Sequence, residues 1–165
     1  MKKTLIIITI IISILSLNKQ PTIPDDAIRF RVIANTSNEE DQLIKQKVVK
    51  NLSKELKKMN DISTKQEASN YINNSLPVFN NIVEKTLEEN NSDKTFHINY
   101  GKNYFPEKEY NNETYPEGEY ESLVVTLGEG KGKNFWCVLF PPLCFMDDED
   151  VEYKSFFKEL IDKYF

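Results

Sequence analysis

Few residues in this chain could do chemistry. There is one histidine, His97, and there are two cysteines, Cys137 and Cys144. A thiolate beside an imidazole would supply the nucleophile and base of a cysteine hydrolase, acting outside the cytoplasm on cell wall. In a chain that opens with an export signal, two cysteines seven positions apart also read, more simply, as a disulfide. Zinc needs more ligands than these three residues offer, so no metal is expected. Gly128-Glu-Gly-Lys-Gly132 brings three glycines and a lysine together, yet its spacing departs from both G-x-x-x-x-G-K-[ST] and G-x-G-x-x-G. It reads as a turn between strands, and no cofactor is expected. The acids Asp147 to Asp150 lack the alternating ligand spacing of a calcium loop. A formal charge of −5 argues against a nucleic-acid binder, which would need a basic face.

Binding chemistry is better represented. The stretch Asn134 to Phe145 holds both cysteines and the single tryptophan. An apolar run of this kind is either buried or kept exposed for a partner, because large apolar patches are uncommon on soluble monomers. Pro141 and Pro142 fix φ and supply no backbone donor, so the segment reads as a strand over 135–139 that runs into a rigid turn. Tryptophan is the residue most enriched at the desolvated centres of interfaces, and prolines lower the ordering cost of association. We therefore expect a partner-binding surface on Phe135, Trp136, Phe140, Pro141 and Pro142. The competing reading makes Trp136 a core residue. Tyr100, Phe105, Tyr115 and Tyr120 flank or lie in the 18-residue stretch 101–118, which has no clear periodicity. An ordered loop of this length is often functional, and these aromatics are expected to support the surface.

These side chains need a scaffold. Ile28-Arg-Phe-Arg-Val32 alternates as a strand, with Arg29 and Arg31 on the face opposite the apolar residues. Ser37-x-x-Glu40 matches a capping box, and Ile44, Val48, Leu52, Leu56 and Met59 then recur at helical spacing. Thr64-x-x-Glu67 opens a second helix. Pro77 predicts a break, giving helices over 64–73 and 76–90. Strands follow over 95–100, with Phe96, Ile98 and Tyr100 on one face, and over 119–127, with Leu123, Val125 and Leu127 inward. A last helix is expected over 150–164, burying Phe156, Phe157, Leu160 and Ile161. The fold class is thus α+β: a single domain with a small, mainly antiparallel sheet of 3–4 strands against 3–4 helices.

Lys2 and Lys3 precede an apolar run from Leu5 to Leu17. That run is shorter than the roughly 20 residues a spanning helix needs, which favours a secretory signal. The cleavage motif is poor, so an uncleaved anchor stays open as an alternative. Residues 1–20 are read as signal peptide or membrane anchor, 21–27 as a linker, and 28–165 as one globular domain.

Several motifs occur together and in order: Ile28-Arg-Phe-Arg-Val-Ile-Ala-Asn35, Glu39-Glu-Asp-Gln42, Tyr100-Gly, Phe105-Pro, Tyr115-Pro-x-Gly-x-Tyr-Glu121, the glycine turn, and Trp136-Cys-Val-Leu-Phe-Pro-Pro-Leu-Cys144. Over residues 28–145 the chain resembles the stage II sporulation protein R family. It departs at Phe135, where the family is expected to carry a second tryptophan. The resemblance implies a signalling protein and not an enzyme. Such a protein is exported from the forespore into the space between the forespore and mother-cell membranes. There it would activate a membrane-embedded aspartic protease of the mother cell that processes the sigma-E precursor.

Overall fold

The alternation at Ile28–Ile33 makes a strand, β1, in which Ile28, Phe30 and Val32 are fully buried and so is Arg29. A strand covered on both faces belongs in the middle of a sheet, and β1 lies there. The computed structural model describes residues 27–110 and 113–142. The predicted leader or anchor, the linker up to residue 26, Cys144, Asp147 to Asp150 and the predicted last helix all lie outside the described residues.

The strand order is β2-β5-β1-β6, with β2 at Phe96–Phe105, β5 at Gly118–Leu127 and β6 at Asn134–Phe140. β1 runs parallel to β5, with Phe30 opposite Leu123 and Val32 opposite Val125. It runs antiparallel to β6, with Arg31 opposite Trp136 and Ile33 opposite Asn134. At one end of the β2–β5 pair Gly128 N donates to Thr95 O (2.7 Å), and nearer the other Asn103 Nδ2 donates to Ser122 Oγ (3.0 Å). This pair is therefore antiparallel as well. The result is the expected α+β domain with a mainly antiparallel sheet.

Two α-helices cover one face of the sheet. Helix α1, Glu39–Leu56, is capped by Asn38, whose side chain accepts from Asp41 N at 2.8 Å. The cap thus falls one residue after the predicted Ser37, whose hydroxyl accepts from Lys133 N instead (3.2 Å). A short 3-10 turn, Lys57–Met59, extends α1 and buries Met59. Helix α2, Lys65–Glu88, starts at the predicted cap, with Thr64 Oγ1 accepting from Glu67 N at 3.2 Å.

The predicted break at Pro77 does not occur, because α2 is continuous through it. A proline in a helix removes one i→i−4 bond, here the one to the Asn73 carbonyl. Pro77 and Asn73 are both exposed, so water can reach that carbonyl. On the opposite side Ile72, Phe79 and Val83 are fully buried and hold the two halves in one line.

Phe30, Val32, Leu123, Val125 and Leu139 from the sheet meet Val48, Leu52, Leu56, Ile72, Phe79 and Val83 from the helices in one core. Burying each of these large side chains stabilises the fold by roughly 1.5–3 kcal/mol. No helix among the described residues is long and apolar enough to cross a membrane.

Residues 104–119 form a separate compact unit. Its described part contains β3, Lys108–Tyr110, and β4, Glu113–Tyr115, paired antiparallel with Lys108 opposite Tyr115. Tyr104 OH donates to Glu117 Oε2 at 2.6 Å. The aperiodic loop predicted for 101–118 is therefore largely β-structure. Gly101 interrupts the alternation in the sequence, but β2 runs straight through it to Phe105.

Candidate functional site

The glycine turn is settled by its contacts. Gly132 N donates to Ala34 O, Lys131 N to Asn35 O and Glu129 N to the Asn35 side chain, each at 2.9 Å. A Cβ on Gly132 would lie 2.1 Å from Thr36 O, and one on Gly128 would lie 2.2 Å from Asn35 Oδ1. These glycines admit the 34–37 loop, and the turn's amides are spent on it rather than on an anion. Below the loop, Asp41 is buried. Burial raises its carboxyl, but hydrogen bonds from Thr36 and Asn35 and the charge of Lys94 outweigh that, holding it below the usual carboxylate range.

The docked turn sets the start of β6, and the alternation of β6 then sorts the predicted binding residues onto two faces. Phe135 points into the core, its ring 5.9 Å from that of Phe30 at 70°, in an edge-on contact. Cys137 packs on the same side. Trp136 points to the other face. A register shift between Ile28 and Arg29 puts Phe140 opposite Ile28, and Phe140 also packs against the core. Pro141, joined to Phe140 by a cis peptide, and Pro142 are half-buried in the turn that follows.

On the face away from the helices β1 places Arg31, which is half-buried, and Arg29, which is buried. The Arg31 guanidinium carbon lies 4.4 Å from the centroid of the Trp136 ring, and that of Arg29 lies 4.5 Å from the Tyr120 ring. Both distances lie within cation–π range. With its amide oriented to satisfy its neighbours, Asn134 accepts from Arg31 Nε (3.1 Å) and Nη2 (2.8 Å) and donates to Gly132 O (3.0 Å). Arg31 is thereby held by Asn134 at its edge and Trp136 at its face. Partial burial lowers its pKa, yet a guanidinium stays charged. The result is a fixed cation stacked on an indole, with both side chains half-buried.

The other predicted residues lie elsewhere. Tyr100 is half-buried on the helix-covered side, where its hydroxyl donates to Glu121 Oε1 at 2.5 Å. Ser69 Oγ donates to the same oxygen (2.9 Å), and Lys65 Nζ lies 3.1 Å from Glu121 Oε2. Burial pushes the Tyr100 hydroxyl up, with the Glu121 contact adding to it. Phe105 is fully buried, so any part it has in a contact surface is indirect. Tyr115 lies on β4. The structure thus groups Trp136 and Tyr120 through the two arginines, and turns Phe135, Phe140 and Tyr100 toward the core. Sequence reasoning placed Arg29 and Arg31 on the outer face but did not join them to Trp136 and Tyr120, because alternation gives a face and not a neighbour. His97 and Cys137 lie on opposite edge strands with β5 and β1 between them, a separation of at least about 14 Å. They form no dyad.

By fold this is a mixed α+β domain, and the sheet face away from the helices carries two arginine–aromatic pairs. The family model for stage II sporulation protein R matches residues 24–150. Stage II sporulation protein R of Bacillus subtilis (strain 168) is 41% identical over 131 residues, 79% of this chain. The match spans 58% of that protein's length. No solved structure shows significant similarity. The chain belongs to the stage II sporulation protein R family, a family of sporulation proteins.

Proposed function

We propose that this chain is the exported signal of a sporulating cell. It passes from the forespore into the intermembrane space and activates a membrane-embedded aspartic protease of the mother cell, which then processes the sigma-E precursor. The family membership supports the sporulation role. The observation that carries the contact is the Trp136–Arg31 ledge, braced by Asn134, with the buried Arg29 stacked on Tyr120 beside it as support. Few residues dominate binding at an interface, and tryptophan and arginine are among the most enriched of them. The proposal therefore moves the contact from the whole aromatic run to its outward-facing members, with Pro141 and Pro142 shaping the adjoining turn. Residues 1–20 supply export in this reading. A bridge between Cys137 and Cys144 ties that turn to β6, in keeping with the lack of any free cysteine among the described residues.

The test is Trp136→Ala alongside Arg31→Met, expressed in the forespore. Circular dichroism and the exported amount should stay near wild type while precursor processing in the mother cell falls sharply. Folded protein lost in step with processing would make the ledge structural and overturn this placement.

A further inference from the structure

Helix α1 carries a second surface that the ledge does not use. Lys47, Lys50, Lys54 and Lys58 are all exposed. At about 100° per residue, Lys47, Lys50 and Lys54 fall within roughly 60° of one another around α1, and Lys58 follows in the 3-10 turn that extends it. This stripe lies opposite the face that buries Val48, Leu52 and Leu56. Leu43, one turn before Lys47 in the same line, is 49% exposed and is one of three large apolar side chains so exposed among the described residues. The acids of α1 are three in its first turn and Glu55, which pairs with Lys58 at 2.8 Å. Among the described residues no carboxylate lies within ion-pair distance of Lys47, Lys50 or Lys54. Lys47 Nζ donates to Asn90 Oδ1 and Lys54 Nζ to Asn51 Oδ1 (3.4 Å), contacts that leave their charge uncompensated.

We propose that this stripe docks on a bilayer of anionic phospholipids, with the ammonium groups at the phosphates and Leu43 in the headgroup layer. Lysines near such a surface add binding energy each in turn, and long lysine stems let the charged ends reach it. The net charge of −5 opposes approach at long range. At physiological salt, screening over about 8 Å lets the local stripe outweigh it on contact. The inference is independent of the protease reading, since it requires only the lipid surface.

The experiment is co-sedimentation of the full-length protein with vesicles of pure phosphatidylcholine and with vesicles containing phosphatidylglycerol. Its comparison is the variant Lys47→Gln/Lys50→Gln/Lys54→Gln/Lys58→Gln. Any contribution of the apolar run at 5–17 should be common to both vesicle types and both proteins. Wild type should prefer the anionic vesicles by at least about tenfold, and the preference should fade with added salt. The variant should lose it while keeping its circular dichroism spectrum. Leu43→Ala should weaken anionic binding without removing the salt dependence. Equal binding of wild type to both vesicle types, or a preference retained by the folded variant, would overturn the proposal. A Trp136→Ala protein that keeps the anionic preference but fails to trigger processing would bear on the ledge and not on the stripe.

Discussion

Glu121 joins three elements: its carboxylate accepts from Tyr100 on β2 at 2.5 Å and from Ser69 on α2 at 2.9 Å, and it pairs with Lys65 on α2 at 3.1 Å. Glu121→Gln keeps the shape and removes the charge. A hydrogen bond to a charged acceptor contributes about 1.5–3 kcal/mol and a neutral one about 0.5–1.5, so weakening the Tyr100 bond costs about 1 kcal/mol. The Lys65 pair is partly exposed and adds at most about 1 kcal/mol. The expected loss is therefore about 2 kcal/mol by urea denaturation at pH 7, with an unchanged m-value. The pH dependence carries a second signature. Burial raises the Glu121 carboxyl, but Tyr100, Lys65 and Ser69 outweigh it, and the net pKa falls below its ordinary 4.5. A depressed carboxylate contributes stability that is present above its unfolded pKa and lost as pH falls through the folded one. The gap between wild type and Glu121→Gln should hold at neutral pH and narrow once the pH drops below about 4.5. A loss under about 0.5 kcal/mol, or a gap that does not narrow in acid, would refute the claim that this carboxylate holds α2 to the sheet.

Gly132→Ala should destabilise the fold by about 1–3 kcal/mol, since its Cβ would meet the Thr36 carbonyl and the Ala34 side chain at 2.1 and 2.9 Å; thermal unfolding measures this. Lys45 is 7% exposed and its pKa is lowered to about 8 by burial and by the charge of Lys133. Between that value and 10.5 the unfolded chain binds more protons, so stability should rise with pH across this window, and Lys45→Met should flatten the rise. If Cys137 and Cys144 are bridged, unreduced protein should be lighter by two hydrogens in mass spectrometry. Reduction should then cost roughly 2–3 kcal/mol.

Local pattern made much of the scaffold legible. The alternation at Ile28–Val32, the helical spacing from Ile44 to Met59 and the Thr64 cap each state a periodicity or a cap that a window of residues contains. Pro77 misled because its effect depends on where the orphaned carbonyl points. With Asn73 and Pro77 on the wet side and Phe79 anchored on the dry side, the helix keeps its other bonds and the packing that spans them. At Gly101 the side-chain pattern lapses, yet β2 continues to Phe105, with the Gly101 carbonyl accepting from Asn103 Nδ2 at 3.1 Å.

The ledge was legible only in halves, and the reason is geometric. Arg31 and Trp136 are each marked by the sequence, one as an outward-facing arginine on a strand and the other as a rare aromatic in an apolar run. Their meeting depends on β6 lying beside β1 in the one register that sets Arg31 opposite Trp136. A shift of one residue would place Phe135 on the outer face and Trp136 in the core. What holds that register is the docked glycine turn, because Asn35 fixes Glu129 and Lys131, Ala34 fixes Gly132, and Ser37 fixes Lys133, the residue before β6 begins. The glycines that lack a phosphate-loop pattern therefore still bear on recognition, since a Cβ at Gly132 would disturb the alignment that puts an indole under a guanidinium.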